Sequence, residues 1–202
     1  MESSFLRVVE RVERMDVEDR DLRARGLQEN PEEGLWALHP DTARLLHILV
    51  QTVGAKRLIE VGVSHGYSTL WLAHAARITG GRLTALEISD RNIGIATANL
   101  QEAGLLDVVD FVPGDARETL PQIEGQFDYI LLDCWDRLYP EIIPHVIPML
   151  REGGLMTTDN VDINDEHSRH FRSLLMAYDE IETKNVPIGL GGLEVSTKRT
   201  PG

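Results

Sequence analysis

Cysteine is almost absent: Cys134 is the one thiol in 202 residues. A single thiol excludes an intrachain disulfide and a cysteine-built metal cluster. Positive charge is also scarce. Twenty Lys and Arg stand against 33 Asp and Glu, for a net charge of −13. Phosphate and anionic lipid are recognised by clustered basic side chains, so neither nucleic acid nor a membrane surface is an expected partner. Long apolar runs are missing. A stretch such as Ile130-Leu131-Leu132 is far short of the ~20 residues that span a bilayer. Met1 to Arg7 carry neither a basic start nor a long apolar run, so no signal peptide is expected. Hydrophobic residues make up 42% of the chain, enough for a packed core. Together these features describe one acidic domain, expected in the cytoplasm, that handles a small molecule.

The first 38 residues differ from the rest. Acids (Glu10, Glu13, Asp16, Glu18, Asp19) alternate with Arg7, Arg11, Arg14, Arg20, Arg23 and Arg25. Leu6, Val9 and Val12 recur at helical spacing, which predicts an amphipathic helix over 3–16 and a second short one ending near Gly26. Residues 28–34 carry loop chemistry. Too few apolar residues are present for a separate core, so 1–38 reads as an N-terminal helical arm on a domain spanning 39–202. The arm's charge pattern fits a solvated helix face or a partner-binding surface.

From Asp41 onward, helical and strand patterns alternate. Strands are expected at 57–62, 82–87, 107–112, 127–133 and 154–159, with helices between them, and a helix is marked by Phe171, Leu174, Leu175 and Tyr178. Two alternating runs, 181–186 and 193–198, flank a glycine-rich turn and predict a closing hairpin. Alternating β and α units imply an α/β fold with a mostly parallel sheet covered on both faces. Ligands of such sheets bind at the carboxyl ends of the strands, so the residues just after each strand carry the functional information.

After the first strand comes Glu60-Val61-Gly62-Val63-Ser64-His65-Gly66-Tyr67-Ser68. Gly62 permits a sharp turn, Gly66 a close approach before a helix, and Ser68 is a candidate cap. The element departs from the G-x-G-x-x-G dinucleotide pattern. A carboxylate at Glu60 repels a pyrophosphate and suits a cationic or hydroxyl-rich ligand. Glu87 ends the second strand, 21 residues past Gly66, placed to accept from a ribose diol; the bland alternative is a solvated strand end. The third strand leads into Gly114-Asp115-Ala116. The fourth and fifth end in Asp133 and in Asp159-Asn160. Asp-Asn pairs also serve as turn residues. At adjacent strand ends, however, these hard oxygens suit Mg2+, Mn2+ or Ca2+ and leave half an octahedral shell for substrate and water.

The ordered set Glu60-Val-Gly-Val-Ser-His-Gly-Tyr-Ser-Thr, Glu87, Gly114-Asp115-Ala116, Phe127-Asp-Tyr-Ile-Leu-Leu-Asp133 and Leu150-Arg-Glu-Gly-Gly-Leu-Met-Thr-Thr-Asp-Asn-Val161 resembles the class I S-adenosylmethionine-dependent O-methyltransferases of the catechol and caffeoyl-CoA type. The likeness runs from about Glu33 to Lys198 and leaves only the arm uncovered. It implies a three-layer, Rossmann-like sheet of seven strands in the order 3-2-1-4-5-7-6, with the last added strand antiparallel. It also implies that Glu60, Gly62, Tyr67 and Ser68 surround the methionine part of the cofactor, with Gly66 and Asp133 also binding the cofactor. Glu87 then holds the ribose, Ile88, Asp115 and Ala116 border the adenine, and Trp135 stands at the mouth beside cofactor and substrate. Asp133, Asp159 and Asn160 match the metal ligands, and Glu194 is similar to a substrate-contacting glutamate. Family members are often homodimers, which is the expectation here.

One departure bears on mechanism. Where the family usually has a lysine as general base, this chain has Asp136. A free aspartate, with a pKa near ~3.9, is a weak base toward a phenol near ~10. Three readings stay open: the metal alone suffices, neighbouring carboxylates raise Asp136, or His167 reaches the substrate. His167 also fits a surface residue at a helix start, and Cys134 a small packing residue. The leading function is O-methylation of a catechol-like vicinal diol held by a divalent metal. The alternative is metal-independent methylation of a nitrogen or single hydroxyl. A nicotinamide-dependent dehydrogenase is disfavoured by Glu60, and a non-catalytic binding protein stays open through Asp136.

Overall fold

A computed structural model describes residues 4–27, 34–189 and 191–200. Seven strands form one sheet in the order β3-β2-β1-β4-β5-β7-β6, as the resemblance implies. The strands are β1 (Arg57–Val61), β2 (Arg82–Glu87), β3 (Val109–Pro113), β4 (Phe127–Leu132), β5 (Leu150–Thr158), β6 (Ile181–Val186) and β7 (Leu193–Lys198). The first five run parallel. β7 pairs antiparallel with both β5 and β6.

Two apolar layers sandwich the sheet, and strand alternation decides which residue enters which. Along β4, Tyr129 and Leu131 join the layer with Leu58, Leu83 and Ala85. Ile130 and Leu132 join the opposite layer with Ile59, Val61 and Leu86. The first layer is closed by α1 (Ser4–Ala24), α2 (Pro40–Thr52), α3 (Tyr67–Thr79) and α4 (Asp90–Ala103). The second is closed mainly by α6 (Tyr139–Met149) and α7 (Glu166–Leu175), with the short α5 (Ala116–Thr119) beside them. No helix among the described residues is long and apolar enough to cross a membrane.

The arm departs from its expected form. One helix runs through 4–24 where two were expected. No glycine or proline interrupts it, and Arg23–Asp19 and Arg25–Asp21 pairs at i,i+4 carry it past residue 16. Its buried stripe is Val8, Val12 and Met15, while Leu6 is about half exposed. The stripe is set by docking on α3 and α4. Arg11 donates to the Asn99 side chain at 2.9 Å, and Asn99 donates to the His65 carbonyl at 2.7 Å. The arm is thereby tied to the loop after β1. Of the loop expected at 28–34, only Gly34 lies within the described residues.

Two further boundaries shift. A 3-10 turn takes up Leu106–Val108, so β3 starts at Val109 rather than 107. β5 begins at Leu150, four residues early, because Gly153 in the left-handed region lets the chain pair with β4 across a register shift.

Candidate active site

The carboxyl ends of the parallel strands are stitched into one edge by backbone hydrogen bonds. The Gly62 amide donates to the Leu86 carbonyl (3.0 Å) and the Gly114 amide to that of Glu87 (3.0 Å). Asp133 donates to Val61 and Asp159 to Leu132, both at 2.9 Å. These bonds bring together the expected residues Glu60, Gly62, Glu87, Asp115, Asp133 and Asp159. Gly62 is obligatory: its φ is +96°, and a Cβ there would overlap the Asp133 carbonyl. Gly66 is also left-handed, but its close neighbour is the Ala96 Cβ of α4, at 3.0 Å from where its own Cβ would lie. Its tightness therefore serves helix packing as well as the turn.

Ser68 does not cap α3; Gly66 holds the N-cap position. The Ser68 hydroxyl donates instead to Glu60 Oε1 at 2.5 Å. Glu60 is fully buried, and its Oε2 has no hydrogen-bond partner among the described residues. Burial pushes the Glu60 carboxyl up to about 7, against the pull of the Ser68 and Thr69 hydroxyls. Tyr67 opens α3 and is buried, with its phenol raised by burial and by Asp16 of the arm. Glu87 accepts from three backbone amides: Val63 (3.1 Å), Ser64 (2.8 Å) and Ser89 (2.9 Å). Its carboxylate thus shapes the loop after β1 as well as ending β2.

Asp133 and Asp159 are the electrostatic centre of the edge. Burial raises the Asp133 carboxyl well above the usual range, and the nearby Asp159 and Glu60 carboxylates raise it further. Burial raises Asp159 too, against the lowering effect of the Asn160 amide. Among the described residues no Lys, Arg or His forms an ion pair with either acid. Two half-buried, desolvated carboxylates without a basic partner among the described residues fit a hard divalent cation. No group of three His, Cys, Asp or Glu converges among the described residues; the neighbouring oxygen that could join the two acids is the Asn160 amide. Asn160 sits at φ +58°, a conformation Asn tolerates better than most residues.

Ile88 and Trp135 stand at this edge 69% and 77% exposed, which leaves a large apolar surface for a planar ligand. Asp115 is half-buried; it caps α5 through the Arg117 amide (2.9 Å) and pairs with the Arg117 guanidinium (2.6 Å). Ala116, the first residue of α5, packs against the second apolar layer. Asp136 accepts from the Arg137 amide at 2.8 Å at the start of a 3-10 turn. His167 lies exposed in the first turn of α7. The Cys134 thiol is pushed up to about 12 by burial and by Asp133, which keeps it protonated.

Glu194, expected against the substrate, is turned inward instead. It is fully buried, accepts from Arg172 of α7 at 2.8 Å and from the Thr183 hydroxyl at 2.7 Å, and ties the hairpin to α7. Three features lay beyond sequence reading. Ser64 and Trp36 both hold φ +50°, and the Ser64 hydroxyl donates to the Leu35 carbonyl, pinning the segment before α2 onto the loop after β1. The turn before β7 lies on Asn160: a Cβ at Gly191 would stand 3.1 Å from the Asn160 Cα. A left-handed Ser or Trp leaves no mark in a sequence, whereas Gly191-Gly192 was readable as a turn without its neighbour.

The family model described as O-methyltransferase matches residues 20–169. A catechol O-methyltransferase of Niastella koreensis is 32% identical over 169 residues, covering 75% of this chain and 76% of that protein. Caffeoyl-CoA O-methyltransferase 1 of Eucalyptus globulus is 32% identical over 125 residues, covering 59% of this chain and 50% of that protein. Among solved structures, an O-methyltransferase from Bacillus cereus in complex with SAH is similar with a TM-score of 0.74 at 28% identity, covering 80% of this chain and 82% of that one. The match over most of the chain, on a sheet of this order, places the protein in the O-methyltransferase family.

Proposed function

We propose that this chain transfers a methyl group from S-adenosylmethionine to one hydroxyl of a small, catechol-like vicinal diol. Asp133, Asp159 and Asn160 hold a divalent cation, Mg2+ in the first place, with Mn2+ and Ca2+ as substitutes. One observation supports the reading: two half-buried carboxylates, both raised by desolvation, end adjacent strands, and among the described residues no basic side chain pairs with them. When bound, the cation lowers the pKa of a ligated hydroxyl and fixes both diol oxygens in place.

The chain's own residues supply the remainder. Glu87 faces the ribose with a carboxylate already oriented by three amides. Glu60 and Ser68 border the methionine end, with Gly62, Gly66 and Tyr67 shaping the loop around it. Ile88 and Trp135 offer apolar faces, and Asp115 and Ala116 close the adenine side. The concentration of acidic groups favours a positively charged sulfonium over the neutral thioether left after transfer. Asp136, close in sequence to Asp133, is the candidate to receive the hydroxyl proton.

A second reading, methylation of a nitrogen or single hydroxyl without metal, draws on Asp136 at the usual lysine position and on the lack of a third converging acid. Methylation of a catechol by wild type and Asp159→Asn, with and without chelator, separates the two. The first reading expects kcat to fall about 10²-fold or more in the variant, since misplacing a reacting group by ~1 Å costs that much. It also expects a loss on chelation and unchanged affinity for S-adenosylhomocysteine. Turnover indifferent to both perturbations selects the metal-free reading.

A further inference from the structure

The paired ladder of β4 and β5 ends at Leu132 and Thr158, one residue before the two acids. Beyond that point the strands separate. β4 leads into the 3-10 turn of Asp136–Leu138, and β5 leads into Asn160 in the left-handed region. One backbone bond spans the gap, from the Asp159 amide to the Leu132 carbonyl at 2.9 Å. Among the described residues one side chain adds to it. Tyr139, the first residue of α6, is 1% exposed, and its hydroxyl lies 3.1 Å from the Asp159 carbonyl and 3.3 Å from the Leu132 carbonyl. A phenol has one proton, so the hydroxyl is shared between two acceptors on two strands. The ring is held from the far side by Phe171 of α7, with centroids 5.3 Å apart.

We propose that Tyr139 is a positioning residue that sets the spacing of the Asp133 and Asp159 carboxylates. It acts through the backbone. Leu132 is the residue before Asp133, and the second acceptor is the carbonyl of Asp159 itself. A donor bridging these two carbonyls fixes how far the strand ends spread and how their side chains are aimed. The proposal rests on the reading of Asp133 and Asp159 as cation ligands. It adds a residue that touches neither cation nor substrate. The outer partners of metal ligands commonly govern affinity in this way, and their loss typically costs roughly 10- to 100-fold in metal binding.

The test is Mn2+ binding to the full chain, with S-adenosylhomocysteine and catechol in excess, read from the paramagnetic resonance signal of free Mn2+. Tyr139→Phe removes the hydroxyl and keeps the ring. Its Mn2+ dissociation constant is expected to rise roughly tenfold with S-adenosylhomocysteine affinity unchanged. Phe171→Leu removes the ring's support and keeps the hydroxyl; it is expected to lower the melting temperature and leave Mn2+ affinity alone. Asp159→Asn is expected to lose saturable binding. Wild-type Mn2+ affinity in Tyr139→Phe, beside loss in Asp159→Asn, overturns the positioning role while sparing the cation reading. Equal weakening in Tyr139→Phe and Phe171→Leu assigns the effect to packing and also overturns it. Wild-type binding in Asp159→Asn removes the cation from the strand ends, and the role of Tyr139 falls with it.

Discussion

The two ends of the parallel strands treat charge in opposite ways. At the amino ends, acids are matched. Asp110 takes a two-pronged contact from Arg82, and Asp107 pairs with Arg77. Asp128 accepts from two backbone amides and from Arg151. At the carboxyl ends Asp115 has Arg117, but Glu60 is fully buried and Asp133 and Asp159 half-buried with no ion pair to a basic side chain among the described residues. The first arrangement minimises free energy in the absence of any ligand. The second gathers like charge, which on the proposed function a cation or a sulfonium relieves. On that proposal stability and function fall to opposite edges of one sheet, and each edge makes a different prediction.

The largest difference is expected from glycine. Gly62 at the carboxyl edge and Gly80 at the opposite edge both have positive φ, +96° and +72°. A Cβ at Gly62 meets the backbone of Asp133, which neither rotates nor retreats; at Gly80 nothing lies within 4 Å. Gly62→Ala therefore combines backbone strain with a collision between β1 and β4, for about 4 kcal/mol. Gly80→Ala carries strain alone, about 1 kcal/mol. Denaturant unfolding of both variants checks this. Equal losses would mean that the carboxyl edge yields as freely as open surface.

The next effect is on pH dependence. Glu60 has its carboxyl raised from 4.5 to about 7. A raised folded pKa means that the folded state binds the proton more tightly than the unfolded chain. Its contribution is complete below pH 4.5 and is lost as pH rises through 7. Other groups titrate in the same window, notably His47, held down to about 4 by burial beside His74 and Arg44. The informative quantity is therefore the difference between Glu60→Gln and wild type without ligand. That difference is expected to grow in favour of the variant from pH 4.5 to pH 8, by up to about 3 kcal/mol at ~1.4 kcal/mol per unit of pKa. A flat difference would show that Glu60 is relieved by something other than a proton.

These contrasts explain what the sequence made legible. Apolar runs closed by Gly or Asp mark the parallel strands because a doubly covered sheet permits little else. Asp133, Asp159 and Asn160 each read alone as ordinary turn residues, and only their recurrence at adjacent strand ends singled them out. The hairpin could be seen by alternation, while the position of β7 between β5 and β6 came from family likeness. Glu194 was expected at the substrate from family likeness alone, and Arg172, 22 residues earlier, takes it inside. Tyr139 was invisible for a related reason. A tyrosine ahead of Ile142 and Ile143 reads as core, and only the fold brings its hydroxyl to two strand ends.

The smallest effect belongs to the matched edge. Burial pushes the Asp128 carboxyl up, but the Arg57 amide, the Arg151 guanidinium and the Lys56 amide outweigh it and hold the group below 3.8. Both amides lie 2.8 Å from Oδ2, and Arg151 Nε lies 2.5 Å from Oδ1. Asp128→Asn keeps the shape, removes the charge and turns one acceptor into a donor facing donors, for about 1–2 kcal/mol. A depressed folded pKa gives stability that is present above the unfolded value and lost as pH falls through the folded one. The gap between wild type and variant should therefore hold from pH 8 to pH 5 and close below about pH 3.8. Because the edge is remote from Asp133 and Asp159 along the strands, turnover per folded molecule should match wild type. A variant that lost turnover while keeping its melting temperature would break the division between the two edges, since charge placed for stability would then be acting on chemistry at the other end of the sheet.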